Sequence, residues 1–148
     1  YVTLPQFLLR DHDIIQQLSI YQAKLFANAY DELGFVGSIK TILDFDTALT
    51  GLLIIPIDTE FCPSLMKYLI NHIKNTRGHP ALIAPYFYSV RGHPAYFSHH
   101  FFKSLIDSHH HGGPRTLFDF HEKYVHRLLW PDARILHNAN HWHQTTMD

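Results

Sequence analysis

The feature that most constrains the fold is an apolar run followed by a helical pattern. Residues 51–57 read Gly-Leu-Leu-Ile-Ile-Pro-Ile and are apolar on both alternating faces, which is typical of a central strand in a parallel sheet. Pro63 suits the first turn of a helix, and its predicted apolar face is Leu65, Met66, Leu69, Ile70 and Ile73. This alternation predicts an α/β domain with a mainly parallel sheet and helices on both faces.

Shorter elements continue the alternation along the chain. Upstream, the patterns predict strands over 1–5 and 23–27, a helix capped by Asp11 or Asp13, and a helix from Ile39 to Leu49 with Ser38 as its N-cap. Downstream, they predict strands over 81–84 and 94–97, helices over 101–106 and 116–121, and strands near Val125 and Ile135.

One short sequence, Arg-Gly-His-Pro-Ala, occurs twice, at residues 77–81 and 91–95. Five identical residues are too few for a structural repeat, since repeat units are about 20 residues or longer. We interpret the two copies as similar turns and the first of them as a coincidence.

Length and charge exclude several classes of protein. A chain of 148 residues with 46% hydrophobic residues predicts a single globular domain. Its 12 Lys and Arg nearly balance its 13 Asp and Glu, which offers no general attraction for nucleic acid or anionic membranes. No apolar run approaches the ~20 residues that cross a bilayer. The single cysteine, Cys62, is compatible with a reducing compartment, so we expect a cytoplasmic protein.

Asp58 directly follows the apolar run. In open α/β sheets, ligands bind beyond the carboxyl ends of the strands, and a carboxylate there suits Mg²⁺ together with substrate phosphates. The competing interpretation is that Asp58 caps the turn that leads to Thr59 and Pro63.

Two glycine-containing segments are further candidates. Gly92-His93-Pro94 combines close backbone approach, a fixed turn and a side chain that can donate or accept a hydrogen bond. Gly37-Ser38, at an expected helix N-terminus, could bind an anion through backbone N–H groups. A purely structural turn and an ordinary helix cap are the respective alternatives, and each is favoured on the motif alone.

The 14 histidines raise a zinc hypothesis. They cluster at 99–100, at 109–111, and at positions 137, 141 and 143. His137 and His141 have the spacing of two ligands on one helix, but the asparagines between them disfavour a helix. A solvated loop is the favoured interpretation of 109–111.

Several of these segments together resemble the MobA-like nucleotidyltransferases, and among them the molybdenum cofactor cytidylyltransferase type. The similar segments appear in the family's order: Asn28 after its strand, Gly37-Ser38-Ile39, Pro56-Ile-Asp58-Thr-Glu-Phe61-Cys-Pro63, Arg91-Gly-His-Pro-Ala-Tyr-Phe97 and Gly113-Pro-Arg115-Thr-Leu117.

The resemblance implies a Rossmann-like fold of the nucleotide-diphospho-sugar transferase type. It implies transfer of CMP, or alternatively GMP, from a nucleoside triphosphate to a phosphorylated acceptor such as molybdopterin, with release of pyrophosphate. Asp58 would be catalytic and would bind Mg²⁺ with Asn140. The implied substrate-binding residues are Asn28, Gly37, Ser38, Pro56, Gly92, His93, Pro94 and Arg115.

Two departures accompany the resemblance. The family's first strand and glycine-rich loop have no counterpart, so we expect residues 1–148 to be one domain that begins after the first β-α unit. Asn138 and Asn140 stand where carboxylates are common in the family, and an amide oxygen binds Mg²⁺ more weakly. These departures support the alternative of a non-catalytic domain of the same fold that binds a ligand or a protein.

Overall fold

The computed structural model describes residues 1–4, 8–19, 22–60 and 62–137. In chain order its main elements are β1 (Val2–Leu4), α1 (His12–Ser19), β2 (Leu25–Ala27), α2 (Phe35–Phe45), β3 (Gly51–Ile54), α3 (Pro63–Asn75), β4 (Leu82–Phe87), β5 (Val90–Arg91), β6 (Ala95–Ser98), α4 (Phe102–Asp107), α5 (Arg115–Phe120) and β7 (Val125–Leu129). Among the described residues, no helix is long and apolar enough to cross a membrane.

The chain divides into two compact units. The first is formed by the described residues within 1–49 and 103–117, and the second by the described residues within 50–102 and 118–148. The expectation of a single domain over residues 1–148 stays a prediction.

The first unit contains two short parallel strands, β1 and β2, which pair from Val2 with Leu25 to Leu4 with Ala27. Helix α1 follows Asp11, whose Oδ1 accepts a hydrogen bond of 3.0 Å from the backbone N–H of Asp13. Asp11 therefore caps the helix, because its carboxylate satisfies one of the N–H groups that have no partner within the helix. Both strands and this helix were predicted and are confirmed.

Helix α2 differs from its prediction at both ends. It begins at Phe35, directly after Gly34, whose φ of 56° is readily adopted only by a residue without Cβ. The prediction that Ser38 is its N-cap is therefore wrong, and Ser38 lies within the helix. The helix ends at Phe45 rather than at Leu49, because Asp46 already has extended backbone angles.

The second unit is built on a five-stranded sheet. β6 pairs with β3 and with β4, β5 pairs with β4, and these three pairings are antiparallel. β7 pairs with β4 in parallel. The mixed α/β class and the Rossmann-like fold are confirmed, whereas the strand directions are more mixed than the mainly parallel sheet expected from the sequence.

The prediction that residues 51–57 form a central parallel strand is wrong. Strand β3 ends at Ile54, and in the described part of the chain it pairs with β6 alone, in antiparallel direction. All four of its residues are partly exposed. An apolar run indicates that a strand contacts the core, but it does not specify the direction of the neighbouring strand.

The core of the second unit forms where α3 packs with the sheet. Leu65 and Leu69 of α3 are 2% and 0% exposed, and they belong to one buried cluster with Ile83 and Leu128. Burying each such side chain contributes about 1.5–3 kcal/mol. Pro63 begins α3 as predicted, but Ile70, placed on the apolar face by the sequence, is 41% exposed.

The strand predicted near Ile135 is absent from the described structure. Residues Ala133–Leu136 form a short 3₁₀ helix instead. Asp132 caps it, since its Oδ1 accepts a hydrogen bond of 3.0 Å from the backbone N–H of Arg134. The buried side chain of Ile135 therefore enters the core from a helical turn.

Candidate active site

Asp58 lies on a turn that follows β3. The carbonyl oxygen of Pro56 accepts two hydrogen bonds from Thr59, one of 3.2 Å from its backbone N–H and one of 2.7 Å from its hydroxyl. Asp58 is therefore four residues beyond the strand end at Ile54 rather than directly after the strand, and it is partly buried. We call residues 56–60 the aspartate turn.

The Gly92-His93-Pro94 segment forms a second turn, between β5 and β6. The backbone N–H of Gly92 donates to the carbonyl of Pro85 at 2.8 Å, and that of His93 donates to the carbonyl of Ile135 at 3.0 Å. A Cβ on Gly92 would lie 2.6 Å from both the Cγ1 and the carbonyl oxygen of Ile135. Glycine is thus required here by close packing. We call residues 91–94 the histidine turn.

The charges of the two turns act on the same imidazole. The pKa of His93 lies below its ordinary value, first because neighbouring protein atoms displace water from the ring, and second because Arg91 is close. The carboxylate of Asp58 acts in the opposite direction and raises this pKa. Asp58 and His93 are therefore within electrostatic range of each other, although they are 35 residues apart in sequence.

A short 3₁₀ helix, Ala133–Leu136, contacts both turns. The Nη1 of Arg134 donates to Oε1 of Glu60 in the aspartate turn at 2.8 Å. Ile135, the next residue, accepts the hydrogen bond from the backbone of His93 in the histidine turn. This helix therefore joins the two turns through neighbouring residues.

Arg134 is itself oriented by Asp132. Its Nε and Nη2 donate to Oδ2 of Asp132 at 2.8 and 2.5 Å, and this contact lowers the pKa of the Asp132 carboxyl. Glu60, Asp132 and Arg134 were not predicted from the sequence as site residues. The two-residue spacing of Asp132 and Arg134 is typical of a local side-chain cap and could have been identified from the sequence. Glu60 and Arg134 are 74 residues apart, so no local pattern indicates their contact.

Arg91 is held against an aromatic ring. Its guanidinium carbon lies 4.2 Å from the ring centre of Phe118, and that ring packs edge-on against Phe97 at 5.5 Å between ring centres. A guanidinium at this distance from an aromatic face is stabilised by a cation–π interaction. The positive charge beside His93 is therefore held in a defined place.

The remaining predicted site residues that the structure describes belong to the first unit, namely Asn28, Gly37, Ser38 and Arg115. The Oδ1 of Asn28 accepts a hydrogen bond of 3.1 Å from the backbone N–H of Tyr30. It also lies 3.4 Å from the Oγ1 of Thr41. Asn28 directly follows β2 and shapes the turn after that strand.

Gly37 and Arg115 have different surroundings within the first unit. A Cβ on Gly37 would collide with the carbonyl group of Tyr30, so glycine permits α2 to approach that backbone closely. Arg115 begins α5 and is exposed. Asn140 lies outside the described residues, as do Asn138, His141 and His143.

No group of three or more His, Cys, Asp or Glu side chains that could hold a metal ion occurs among residues 1–4, 8–19, 22–60 and 62–137. Asp58 offers a single carboxylate. Its donor chemistry fits Mg²⁺, because that ion is commonly bound by one or two carboxylates while substrate phosphates and water supply the other oxygens.

A model of the MobA-like NTP transferase domain matches residues 7–126, which include both turns and nine of the ten predicted site residues. A search of curated proteins gave no match. The family match indicates a nucleotidyltransferase that uses a nucleoside triphosphate.

Proposed function

Since this chain belongs to the family of MobA-like NTP transferase domains, we propose that it transfers CMP from CTP to a phosphorylated acceptor of the molybdopterin type, with release of pyrophosphate. GMP transfer from GTP is the alternative for the nucleotide. The choice of CMP and of molybdopterin rests on the resemblance of residues 56–63 and 91–97 to the cytidylyltransferase type.

The observation that carries the proposal is the joint placement of Asp58 and His93. Their turns both contact the 3₁₀ helix Ala133–Leu136, and the carboxylate acts electrostatically on the imidazole. We assign Asp58 the catalytic role of holding Mg²⁺, with Asn140 as the second ligand. The ion, when bound, would neutralise charge on the phosphates during in-line displacement.

The histidine turn supplies recognition groups of two kinds. A lowered pKa keeps His93 neutral near pH 7, so that its ring carries one hydrogen-bond donor and one acceptor for a bound ligand. Arg91 contributes a positive charge next to that ring, which favours a polyphosphate substrate. We therefore assign Gly92, His93 and Pro94 to the substrate site, together with Pro56 of the aspartate turn.

The roles of the first unit's residues are proposed from the resemblance. On that basis Asn28, Gly37 and Ser38 are assigned to substrate binding. Arg115 would contribute a cationic side chain suited to phosphate oxygens. The interactions described above account for Asn28 and Gly37 through local folding as well.

The test is pyrophosphate release from CTP, and in parallel from GTP, with molybdopterin and Mg²⁺. We expect Asp58→Asn to lower the rate by about 10²-fold or more, because removal of a single group that stabilises transition-state charge has effects of this size. Asp119→Asn, which changes an exposed aspartate of α5, is the matched control and should retain the wild-type rate. Unchanged turnover in Asp58→Asn would contradict the proposal.

The non-catalytic alternative leads to a different result. A domain that only binds a ligand or protein would release no pyrophosphate with either nucleotide. Isothermal titration with CTP and GTP, with and without Mg²⁺, then separates the cases: Mg²⁺-dependent nucleotide binding counts against a domain that binds only a protein.

A further inference from the structure

Two histidines from different elements of the second unit meet outside the two turns. The Nε2 of His72, on α3, lies 3.1 Å from the Nδ1 of His126, on β7. The ring planes are inclined by 70°, and the ring centres are 5.2 Å apart. Neither residue belongs to the clusters that the sequence suggested as zinc ligands. The two histidines are 54 residues apart in the sequence, so no local pattern predicts their contact.

The elements that carry this pair are well anchored. Leu69, one helical turn before His72, is 0% exposed, and Leu128, two residues after His126 on the same face of β7, is 5% exposed. His126 is in register with the fully buried Ile83 of β4. Because a packed helix and a paired strand hold the two backbones, the approach of the rings is set by the core of the unit.

We infer that His72 and His126 form a binding site for a late first-row transition metal ion such as Zn²⁺ or Ni²⁺. Zinc–nitrogen bonds are about 2.0–2.1 Å long, so two nitrogens on one tetrahedral ion lie about 3.3–3.4 Å apart. The nitrogens of this pair need to separate by only a few tenths of an ångström. Imidazole nitrogens also suit these ions, whereas Mg²⁺ and Ca²⁺ prefer oxygen ligands.

Binding needs the lone pairs of both facing nitrogens. In the hydrogen-bonded pair one of these nitrogens carries a proton, and that ring must move its proton to the opposite nitrogen before both can bind one ion. Two neutral rings make this change without net loss of a proton.

The site leaves coordination positions open. Within the described ranges no third His, Cys, Asp or Glu completes the set. Water or an added ligand would therefore fill the remaining positions, as in zinc sites that are not closed by four protein ligands. This inference is independent of the proposed nucleotidyl transfer, since none of its residues belongs to either turn.

The primary test is isothermal titration of the whole chain with ZnCl₂. We expect His72→Gln and His126→Gln each to weaken the tightest zinc site by about tenfold or more. The matched control is the double change His109→Gln and His110→Gln, which removes two neighbouring histidines whose ring centres are 3.5 Å apart and whose ring planes are inclined by 43°. The control should retain the tightest site. Equal zinc affinity in wild type and His72→Gln would overturn the inference.

A second measurement does not depend on the folding of any variant. In wild-type protein, the ring signals of His72 and His126 should shift first and with a common saturation curve as zinc is added, as followed by NMR. Earlier shifts of His99 and His100, or of residues 109–111, would place the tightest zinc site elsewhere and overturn the inference. Addition of MgCl₂ should leave the signals of the pair unchanged, because imidazole is a poor ligand for that ion.

Discussion

The two copies of Arg-Gly-His-Pro-Ala have the same sequence and different structures. In the first copy Gly78 has a φ of 85° and open space where a Cβ would be, and His79 is exposed on the connection between α3 and β4. In the second copy Gly92 packs directly against Ile135. The backbone N–H of His79 bonds locally to Thr76, whereas that of His93 bonds to Ile135, 42 residues away.

The comparison separates what five residues specify from what the fold adds. Both copies lead into a buried strand, at Ala81 with 0% and Ala95 with 8% exposure, so the motif does specify an entry into the core. In the second copy His93 is close enough to Asp58 for that carboxylate to raise the pKa of its imidazole. The chemical difference between the two histidines therefore comes from long-range contacts.

The largest expected difference between the copies concerns their glycines. Gly92→Ala should lower the free energy of unfolding by about 3 kcal/mol, because the added methyl overlaps Ile135 and overpacking strains the hydrogen bonds of that turn. Gly78→Ala should lower it by about 1 kcal/mol, because it introduces only the strain of a positive φ. Urea denaturation of both variants and wild type measures these values. A greater loss in Gly78→Ala would contradict the packing at Gly92.

A smaller effect concerns the titration of His93. Asp58→Asn should lower the pKa of His93 further, because it removes the charge that raises it, and Arg91→Gln should raise that pKa. NMR titration of the ring signal, assigned with His93→Asn, measures both changes. Asp119→Asn is the control and should leave the pKa of His93 unchanged. An unaltered pKa in Asp58→Asn would show that the two turns do not interact.

The same lowered pKa has a consequence for stability. The unfolded chain protonates His93 near pH 6.5, whereas the folded chain protonates it at lower pH. Between these values the unfolded state binds more protons, so the contribution of His93 to stability is fully present above about pH 6.5. It decreases as the pH falls through the folded pKa.

Local signals predicted many of the elements. Pro63 and the spacing of Leu65 and Leu69 identified α3, and the apolar run at residues 81–84 identified β4. The start of α2 was misplaced because Gly34, rather than Ser38, sets the chain direction before the helix. The predicted parallel pairing of β3 was wrong because strand pairing depends on partners that are distant in sequence, here β6.

Local sequence signals also predicted part of the candidate site. Asp58 and His93 stood out as a carboxylate after an apolar run and a histidine between glycine and proline. The sequence did not predict the 3₁₀ helix that joins their turns. This helix contacts one turn through the backbone carbonyl of Ile135 and the other through an ion pair with Glu60. Such contacts depend on where the folded backbone passes and not on a sequence motif.

The most direct test of a role for the histidine turn compares the two copies in the same assay. His93→Asn and His79→Asn each preserve the backbone N–H, which donates to Ile135 from His93 and to Thr76 from His79. We expect His93→Asn to reduce pyrophosphate release from CTP, with molybdopterin and Mg²⁺ present, by about tenfold or more, because a hydrogen bond to a charged group contributes about 1.5–3 kcal/mol. His79→Asn should keep the wild-type rate. Equal rates in the two variants would contradict the assignment of the histidine turn to the active site.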